Sequence, residues 1–287
     1  MVIIEKLFRQ YMEIILITGS TGMVGRNIIN SLNKYEYKIL SPSRSELDLL
    51  NKDEVNEYIN LNSPDKIIHC AGLVGGIHAN IESPYNFCYE NLLMGMNLIE
   101  AANENEIKYL INLGSSCMYP RNATNPLKEN QILKGELEPT NEGYAIAKIA
   151  VAKLCEYANK QYGRSYKTLI PCNLYGIGDD FEISKSHMIP GVIRRIHEAK
   201  TNDYDTITIW GNGETRREFM YAGDLADFVS ENIDKIEKLP QNMNIGLGTD
   251  YSIKEYYEVI AKIVGYEGYF EYDLGDLEGM KQKVGDI

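Results

Sequence analysis

The chain has 287 residues, and its hydrophobic content of 44% and charged content of 24% are those of an ordinary soluble globular protein. Its net charge of −12 argues against nucleic-acid and anionic-membrane binding, so an anionic ligand requires a local basic patch. The five scattered cysteines lack disulfide or metal spacing, and the sequence has neither a membrane-length apolar run nor a signal-peptide start, so we expect a cytoplasmic protein without a metal ion.

The first predicted elements form a dinucleotide-binding turn. Residues 1–11 are either a short extension or precede a natural start at Met12. A strand over residues 13–18 leads into a glycine-rich turn and a helix near 23–34. Glycines at this spacing permit a tight turn, close approach of a pyrophosphate and close helix–strand packing; the alternative is a purely structural turn. The predicted cofactor-binding residues here are Gly19, Thr21, Gly22, Met23, Val24 and Gly25.

The second predicted strand, near residues 37–40, ends without the carboxylate that NAD enzymes usually carry there. Arg44 follows it, and we expect its side chain to pair with a 2′-phosphate, which favours NADP over NAD. The alternative for Arg44 is a solvated surface arginine. Asp48 is assigned to the adenine amino group or, alternatively, to a helix cap.

Apolar runs separated by amphipathic segments predict the remaining strands and helices up to about residue 170. Strands are expected near residues 66–70, 109–113 and 167–170, with helices near 51–61, 84–106 and 143–162. Near-continuous apolar strands that alternate with helices indicate an α/β fold with a doubly wound, Rossmann-like parallel sheet.

Tyr144 and Lys148 lie four residues apart on the helix predicted near 143–162, so both side chains share one face. A nearby ammonium favours the phenolate, and we therefore expect Lys148 to lower the pKa of Tyr144. Such a pair suits proton transfer to or from an alcohol or carbonyl oxygen. The alternative is a chance pairing on an amphipathic helix.

After Gly176 the sequence becomes polar and loop-like, and this change predicts a smaller C-terminal substrate lobe. Its expected elements are a helix near residues 189–199, a strand over 206–210 and a helix near 252–264. We expect a dinucleotide-binding domain over residues 1–177, with return segments near 219–247, and a substrate-binding lobe over 178–287. The cleft between them is the expected substrate site.

Five segments resemble the extended short-chain dehydrogenase/reductase family and, within it, the branch of GDP-4-keto-6-deoxymannose epimerase–reductases (GDP-L-fucose synthases). They are residues 72–77 (GLVGGI), 113–120 (LGSSCMYP), 137–148 (LEPTNEGYAIAK), 173–176 (NLYG) and 216–219 (RREF). The resemblance implies NADPH-dependent reduction at C4, with epimerisation at C3 and C5, of a GDP-linked 4-keto-6-deoxy sugar. It also implies a homodimer formed through two helices that flank the sheet.

The resemblance assigns the reductase roles to three residues. Tyr144 would protonate the C4 oxygen, and Lys148 would tune Tyr144 and bind the nicotinamide ribose. Ser115 would hydrogen-bond the same oxygen; Ser116 competes for this role, but the family pattern favours Ser115.

The resemblance also implies that Cys117 and His187 serve as base and acid at C3 and C5. Their ordinary pKa values suit proton transfer near neutral pH. The alternatives are a small packing residue for Cys117 and a helix cap or surface residue for His187.

Substrate contacts are expected from side chains that match family positions: Asn173, Arg195, Trp210 and Arg217, with Lys283 as a weaker candidate. The two arginines would contact the diphosphate through forked hydrogen bonds. The alternative is that Arg194 or Arg216 makes the contact instead.

The sequence departs from its close relatives in several places. Leu73 and Thr21 stand where those relatives often carry lysine and arginine, and the change at 21 removes a second contact to a 2′-phosphate. Family members usually continue with a further helical segment beyond the position of Ile287. Two rival functions remain open: a C4 reductase without epimerase activity on a related GDP-4-keto-6-deoxy-heptose, and a non-catalytic NADP-binding regulatory protein.

Overall fold

The computed structural model of the protein describes residues 12–182, 186–275 and 280–287. The proposed extension over residues 1–11 lies outside these ranges. The first elements in chain order are β1 (Ile14–Thr18), α1 (Met23–Leu32), β2 (Lys38–Leu40), α2 (Lys52–Asn62), β3 (Lys66–His69), α3 (Ile77–Glu82), α4 (Pro84–Glu104) and β4 (Tyr109–Leu113). They are followed by α5 (Glu142–Tyr162), β5 (Ser165–Pro171), β6 (Asn173–Tyr175), α6 (Met188–Thr201), β7 (Thr206–Trp210), β8 (Arg216–Arg217), β9 (Phe219–Tyr221), α7 (Ala222–Asn232), β10 (Asn242–Ile245), β11 (Tyr251–Ser252), α8 (Ile253–Val264), β12 (Tyr269–Asp273) and β13 (Gln282–Lys283).

Six parallel strands form the central sheet in the order β2-β1-β3-β4-β5-β10. Successive side chains of a strand point to opposite faces. In β1, Ile15 and Ile17 pack with residues of α1 and α7, whereas Leu16 packs with residues of α2, α4 and α5. Both faces of the sheet are therefore buried, which explains why its strands appear in the sequence as near-continuous apolar runs. The predicted doubly wound, Rossmann-like sheet is confirmed.

The start of α2 settles one open assignment. The side chain of Asn51 accepts a hydrogen bond from the backbone N–H of Glu54 at 3.3 Å, so Asn51 caps the helix. Asp48 lies three residues earlier, where its Oδ1 accepts from the backbone N–H of Leu50 at 3.1 Å. The alternative that Asp48 caps the helix is therefore wrong, because its carboxylate folds back onto its own turn.

The C-terminal residues build a smaller lobe around α6 and α8. Its core contains Val192, Ile196, Tyr257 and Ile260, which are buried together. Two small sheets complete the lobe, one pairing β7 with β12 and the other placing β8 between β11 and β13. β10 instead lies beside β5 at the edge of the main sheet. The division between residues 177 and 178 stays a prediction.

Within the described ranges, no helix combines the length and the apolar character needed to cross a bilayer. The same ranges contain no group of three or more histidine, cysteine, aspartate or glutamate side chains placed to hold a metal ion. All five cysteines are free thiols.

Candidate active site

The glycine-rich turn lies where the strand order of the sheet reverses, because β1 has β2 on one side and β3 on the other. Gly19 has a φ of +69°, and a Cβ there would lie 2.6 Å from the backbone nitrogen of Ala71. A Cβ on Gly25 would lie 2.3 Å from the carbonyl oxygen of Gly19. Since backbone leaves no space for either side chain, the turn offers bare peptide groups to the crevice, which fits a pyrophosphate.

The helix after this turn leaves its first N–H groups available. Gly22 precedes α1 and no side chain caps the helix. Thr21 is exposed, and Met23 and Val24 form the first turn of α1. The predicted cofactor residues of the turn therefore lie together at a helix N-terminus, where the helix dipole favours an anion.

Arg44 extends from the turn after β2 with 74% of its side chain exposed. Its Nε lies 3.9 Å from Oδ1 of Asp48, a weak ion pair that leaves the guanidinium available. Ser20 joins this turn to the glycine turn, because its hydroxyl donates to the carbonyl oxygens of Ser41 at 3.1 Å and Pro42 at 2.9 Å. An exposed and only weakly paired arginine beside the dinucleotide crevice suits a phosphate monoester.

The predicted reductase residues meet at the carboxyl end of β4. Ser115 follows that strand and Tyr144 lies in the first turn of α5, close enough for the Ser115 side chain to act on the Tyr144 phenol. Nζ of Lys148 donates to the carbonyl oxygen of Leu113 at 3.0 Å and lies 5.7 Å from the centroid of the Tyr144 ring. One strand end and one helix face thus hold all three side chains.

The expectation that Lys148 lowers the pKa of Tyr144 is wrong. Burial is the main cause that raises the Tyr144 pKa well above its ordinary value; the nearby Cys117 adds to it, and the Ser115 side chain opposes it only in part. Lys148 is directed at a backbone carbonyl, and burial lowers its own pKa to about 8. At neutral pH Tyr144 is therefore a protonated phenol, equipped to donate a proton.

A buried polar pair lies behind Lys148. Oγ1 of Thr18 and Nδ1 of His69 are 2.8 Å apart at the ends of β1 and β3. Burial, followed by the charge of Lys148, lowers the pKa of His69 to about 3. His69 is consequently neutral at physiological pH and adds no second positive charge beside the ammonium.

Cys117 lies in a short 3-10 turn, Ser116–Met118, directly after Ser115. Its Sγ accepts a hydrogen bond from Nδ2 of Asn141 at 3.2 Å, and its backbone N–H donates to the Ser115 hydroxyl at 3.2 Å. The sulfur also interacts electrostatically with Tyr144 and with Arg217. The thiol is therefore part of the same site as the tyrosine, close to one of the predicted substrate arginines.

His187 occupies the position before α6, but its side chain makes no capping hydrogen bond, so the cap alternative has no support. His187 lies close enough to Asp179, in the turn after β6, to interact with it electrostatically. An added Cβ on Gly76 would lie 3.9 Å from the carbonyl oxygen of the neighbouring Ser186, which places the 72–77 segment beside this end of α6. Within the described ranges, no hydrogen bond joins His187 to Cys117 or to Tyr144.

Arg195 and Trp210 form a stacked pair at the edge of the smaller lobe. The guanidinium carbon of Arg195 lies 4.5 Å from the centroid of the Trp210 ring. Arg195 also donates to the carbonyl oxygen of Thr208 at 3.1 Å and to the hydroxyl of Tyr257. Trp210 is 56% exposed, with the ring of His78 at 6.4 Å on an edge-to-face geometry. A flat cation on an exposed indole is well placed to bind an anion.

Ion pairing distinguishes Arg195 and Arg217, the predicted substrate contacts, from the arginines that precede them in the chain. Arg194 pairs with Glu198 at 2.6 Å, and Arg216 pairs with Asp250 at 2.9 Å. In the part of the chain that the structure describes, no carboxylate lies within 4.0 Å of the guanidinium nitrogens of Arg195 or Arg217. The structure therefore favours these two over Arg194 and Arg216 as anion contacts.

The two remaining substrate candidates flank Arg217. Lys283 in β13 is in parallel register with Arg217 in β8, so these residues are direct neighbours. Nδ2 of Asn173 donates to the carbonyl oxygen of Glu218 at 2.9 Å, which fixes its side chain at the start of β6. Both residues line a small cavity together with Ser116 and Cys172.

Comparisons with known proteins agree with this geometry. Residues 15–246 match the model of the NAD dependent epimerase/dehydratase family. The chain belongs to this family. It is 54% identical over 273 residues to a GDP-L-colitose synthase of Yersinia pseudotuberculosis, which covers 95% of this chain and 89% of that protein. It is 46% identical over 273 residues to a GDP-L-fucose synthase of Azorhizobium caulinodans, covering 95% of this chain and 88% of that protein.

A solved structure is similar over nearly the whole chain. The GDP-mannoheptose C4 reductase from Campylobacter jejuni with NADP bound has a TM-score of 0.86 and 33% identity, and the match covers 96% of this chain and 90% of that one. Together with the family model, these matches confirm the family that the five sequence segments indicated.

One residue of this epimerase/dehydratase site was missed by sequence reasoning. Asn141 lies in the quoted 137–148 segment, three residues before Tyr144, but no role was predicted for it. Its contact with Cys117 joins segments 24 residues apart. Neither residue type nor spacing reveals such a contact, because it depends on how the 3-10 turn packs against the start of α5.

Proposed function

We propose that this protein is an NADPH-dependent reductase that acts at C4 of a GDP-linked 4-keto-6-deoxy sugar and also epimerises C3 and C5. The observation that carries the proposal is the placement of a protonated Tyr144, with Ser115 and Lys148, beside a glycine turn that fits a dinucleotide. The similarity to a GDP-L-colitose synthase and a GDP-L-fucose synthase supports the class of substrate.

The glycine turn, α1 and Arg44 would hold NADPH, which supplies a hydride to the ketone carbon. The exposed, weakly paired guanidinium of Arg44 supports a 2′-phosphate, and a similar structure contains NADP. We assign the adenine contact to Asp48, whose side chain lies beside Arg44.

Tyr144 would donate its phenolic proton to the C4 oxygen while the Ser115 hydroxyl hydrogen-bonds the same atom. A buried phenol keeps its proton until an alkoxide develops nearby, so proton transfer follows the growth of negative charge. Lys148, with a pKa of about 8, would bind ribose hydroxyls and offer a positive charge to the tyrosinate that results.

Cys117 and His187 would exchange protons at the two carbons next to the ketone. Those C–H groups are acidified by the carbonyl, so a thiolate is a sufficient base and an imidazolium a sufficient acid. Support for Cys117 comes from its contact with the reductase residues, and support for His187 from its position at the start of α6, opposite the 72–77 segment.

The diphosphate would be bound by Arg195 and Arg217, whose charges lack a carboxylate partner within the described ranges. Trp210 would support Arg195, and Asn173 and Lys283 would contact the substrate beside Arg217. These side chains provide the local basic patch that an anionic ligand needs in a chain of net charge −12.

The test uses purified protein, NADPH or NADH, and three ketosugars: GDP-4-keto-6-deoxymannose, the 4-keto precursor of GDP-L-colitose, and a GDP-4-keto-heptose. We expect NADPH consumption with at least one of them. Tyr144→Phe should slow reduction by about 10²–10⁴-fold, whereas Tyr157→Phe, an exposed tyrosine on the same helix, should not. Absence of NADPH consumption with every ketosugar would contradict the proposal.

A second candidate is a C4 reductase without epimerase activity, favoured by the similarity to a GDP-mannoheptose C4 reductase. Solvent deuterium at C3 and C5 of the product indicates epimerisation, and its absence from a reduced product favours this candidate. A regulatory NADP-binding protein is the third, and tight NADPH binding without turnover would favour it.

We also propose that the protein is a cytoplasmic homodimer that associates through α4 and α5. Both helices carry exposed apolar side chains, among them a stacked pair, Tyr85 and Tyr89, and Ile146. Light scattering of the purified protein should give twice the chain mass of 32.6 kDa.

A further inference from the structure

The amide of Asn141 is turned towards the sulfur of Cys117. Nδ2 of Asn141 lies 3.2 Å from Sγ of Cys117, and a primary amide nitrogen can only donate. A thiol sulfur accepts hydrogen bonds weakly, whereas a charged acceptor forms stronger ones. The contact therefore stabilises the thiolate form of Cys117 more than the thiol form.

Helix capping does not explain this asparagine. Asn141 immediately precedes α5, a position at which an asparagine side chain usually accepts a hydrogen bond from the helix. Its side chain makes no such bond, and its Oδ1 is buried without a partner among the described residues. The Asn141 amide thus does not cap the helix, and its Oδ1 has no hydrogen-bond partner among the described residues, while its Nδ2 contacts the sulfur of Cys117.

Arg217, the positively charged neighbour of Cys117, cannot replace this contact during the reaction. Arg217 interacts with the sulfur, and within the described ranges no carboxylate lies within 4.0 Å of its guanidinium, although Glu138 and Asp250 act on it from farther away. In the proposed function, however, Arg217 binds the diphosphate, so its charge is compensated once substrate is present. Asn141 is neutral and keeps its donor in place when the diphosphate binds.

We infer that Asn141 is a positioning residue for Cys117, whose amide hydrogen bond orients the sulfur and becomes stronger when the thiol ionises to remove a proton next to the ketone. The inference deepens the proposed epimerase function and rests on it for its catalytic consequence. The hydrogen bond itself involves no sugar and can be tested without one.

The test measures the rate of Cys117 alkylation by iodoacetamide as a function of pH, with the modified peptide quantified by mass spectrometry. Asn141→Leu removes the donor at similar volume, and Asn141→Asp replaces it with an acceptor of nearly identical shape. Thr140→Val is the matched control, because Thr140 is the preceding residue and its hydroxyl donates to Glu138 instead. Cys117→Ala identifies the peptide signal.

We expect the midpoint of the alkylation profile to rise by about one pH unit in Asn141→Leu and by more in Asn141→Asp. It should stay unchanged in Thr140→Val. A merely structural role would leave the midpoint in place in Asn141→Leu, and that result overturns the inference. The carboxylate of Asn141→Asp also raises the midpoint by its own charge, so Asn141→Ala, which removes the donor without adding a charge, preserves the test if the leucine variant does not fold.

A second readout connects the thiolate to catalysis. At pH 7, Asn141→Leu should lower solvent deuterium incorporation at the carbon served by Cys117 by about ten-fold, and raising the pH should restore it. Loss that does not recover at higher pH contradicts the inference. If the alkylation midpoint moves in the Asn141 variants but the wild-type protein incorporates no deuterium, the proposed epimerase function is wrong. The inference that Asn141 hydrogen-bonds Cys117 is then still supported.

Discussion

Replacing Lys148 by methionine is expected to stabilise the protein at pH 7 while it slows reduction by at least about 100-fold. Lys148 is 6% exposed, and burial lowers its pKa from 10.5 to about 8. One pKa unit corresponds to about 1.4 kcal/mol, so keeping this side chain charged in the folded protein costs about 3 kcal/mol. Methionine removes that cost but leaves the Leu113 carbonyl oxygen without its donor, a loss of about 1 kcal/mol. The expected net gain is about 2 kcal/mol.

The gain depends on pH because the folded pKa of Lys148 lies below the unfolded one. Between pH 8 and pH 10.5 the unfolded chain binds this proton more often than the folded chain, so wild-type stability rises with pH across that window. The advantage of Lys148→Met should therefore shrink by about 2 kcal/mol from pH 7 to pH 9.5.

Urea unfolding of the wild type and Lys148→Met at both pH values measures this difference. Lys153→Met is the control, because Lys153 lies on the same helix and only forms a partly exposed pair with Glu156 at 2.7 Å. Its effect should stay within about 0.5 kcal/mol at either pH. If Lys148→Met is less stable than the wild type at pH 7, or if its advantage does not change with pH, the ammonium is not desolvated as the structure indicates and the reasoning is refuted.

Three further outcomes are expected. Gly25→Ala should weaken NADPH binding, measured by fluorescence titration, by at least about ten-fold, because its Cβ meets the Gly19 carbonyl oxygen at 2.3 Å; unchanged affinity contradicts this. Arg217→Met should raise the KM for the GDP-sugar without lowering the Tm, whereas Arg216→Met should lower the Tm through the loss of its Asp250 pair; equal effects on both quantities would argue against the assignment. The pKa of His69 is about 3 in the folded protein and about 6.5 in the unfolded chain, so the unfolded chain binds the proton first as the pH falls. The free energy of unfolding should therefore drop by about 2 kcal/mol from pH 7 to pH 5. His69→Gln should remove that part of the decrease.

The sequence determined the regular elements because their signals are local. The strand expected over residues 13–18 is found at Ile14–Thr18, and the helix expected near 252–264 is found at Ile253–Val264 with Ser252 as its cap. The apolar–polar alternation of strands and the periodicity of helices involve residues only a few positions apart, so both can be recognised in the sequence before the fold is known. The glycine spacing likewise encodes a turn in which a side chain has no room.

The tertiary structure alone decided the short strands and the electrostatics. β8 and β13 have two residues each, too few for a period, and exist because distant segments pair. Tyr144 has a raised pKa and Lys148 a lowered one because burial outweighs the attraction that their spacing suggested. Asp250, from 34 residues away, neutralises Arg216 and leaves the charge to Arg217. Desolvation and ion pairing depend on which groups surround a side chain in space. The four-residue spacing of Tyr144 and Lys148 in the sequence does not reveal those neighbours.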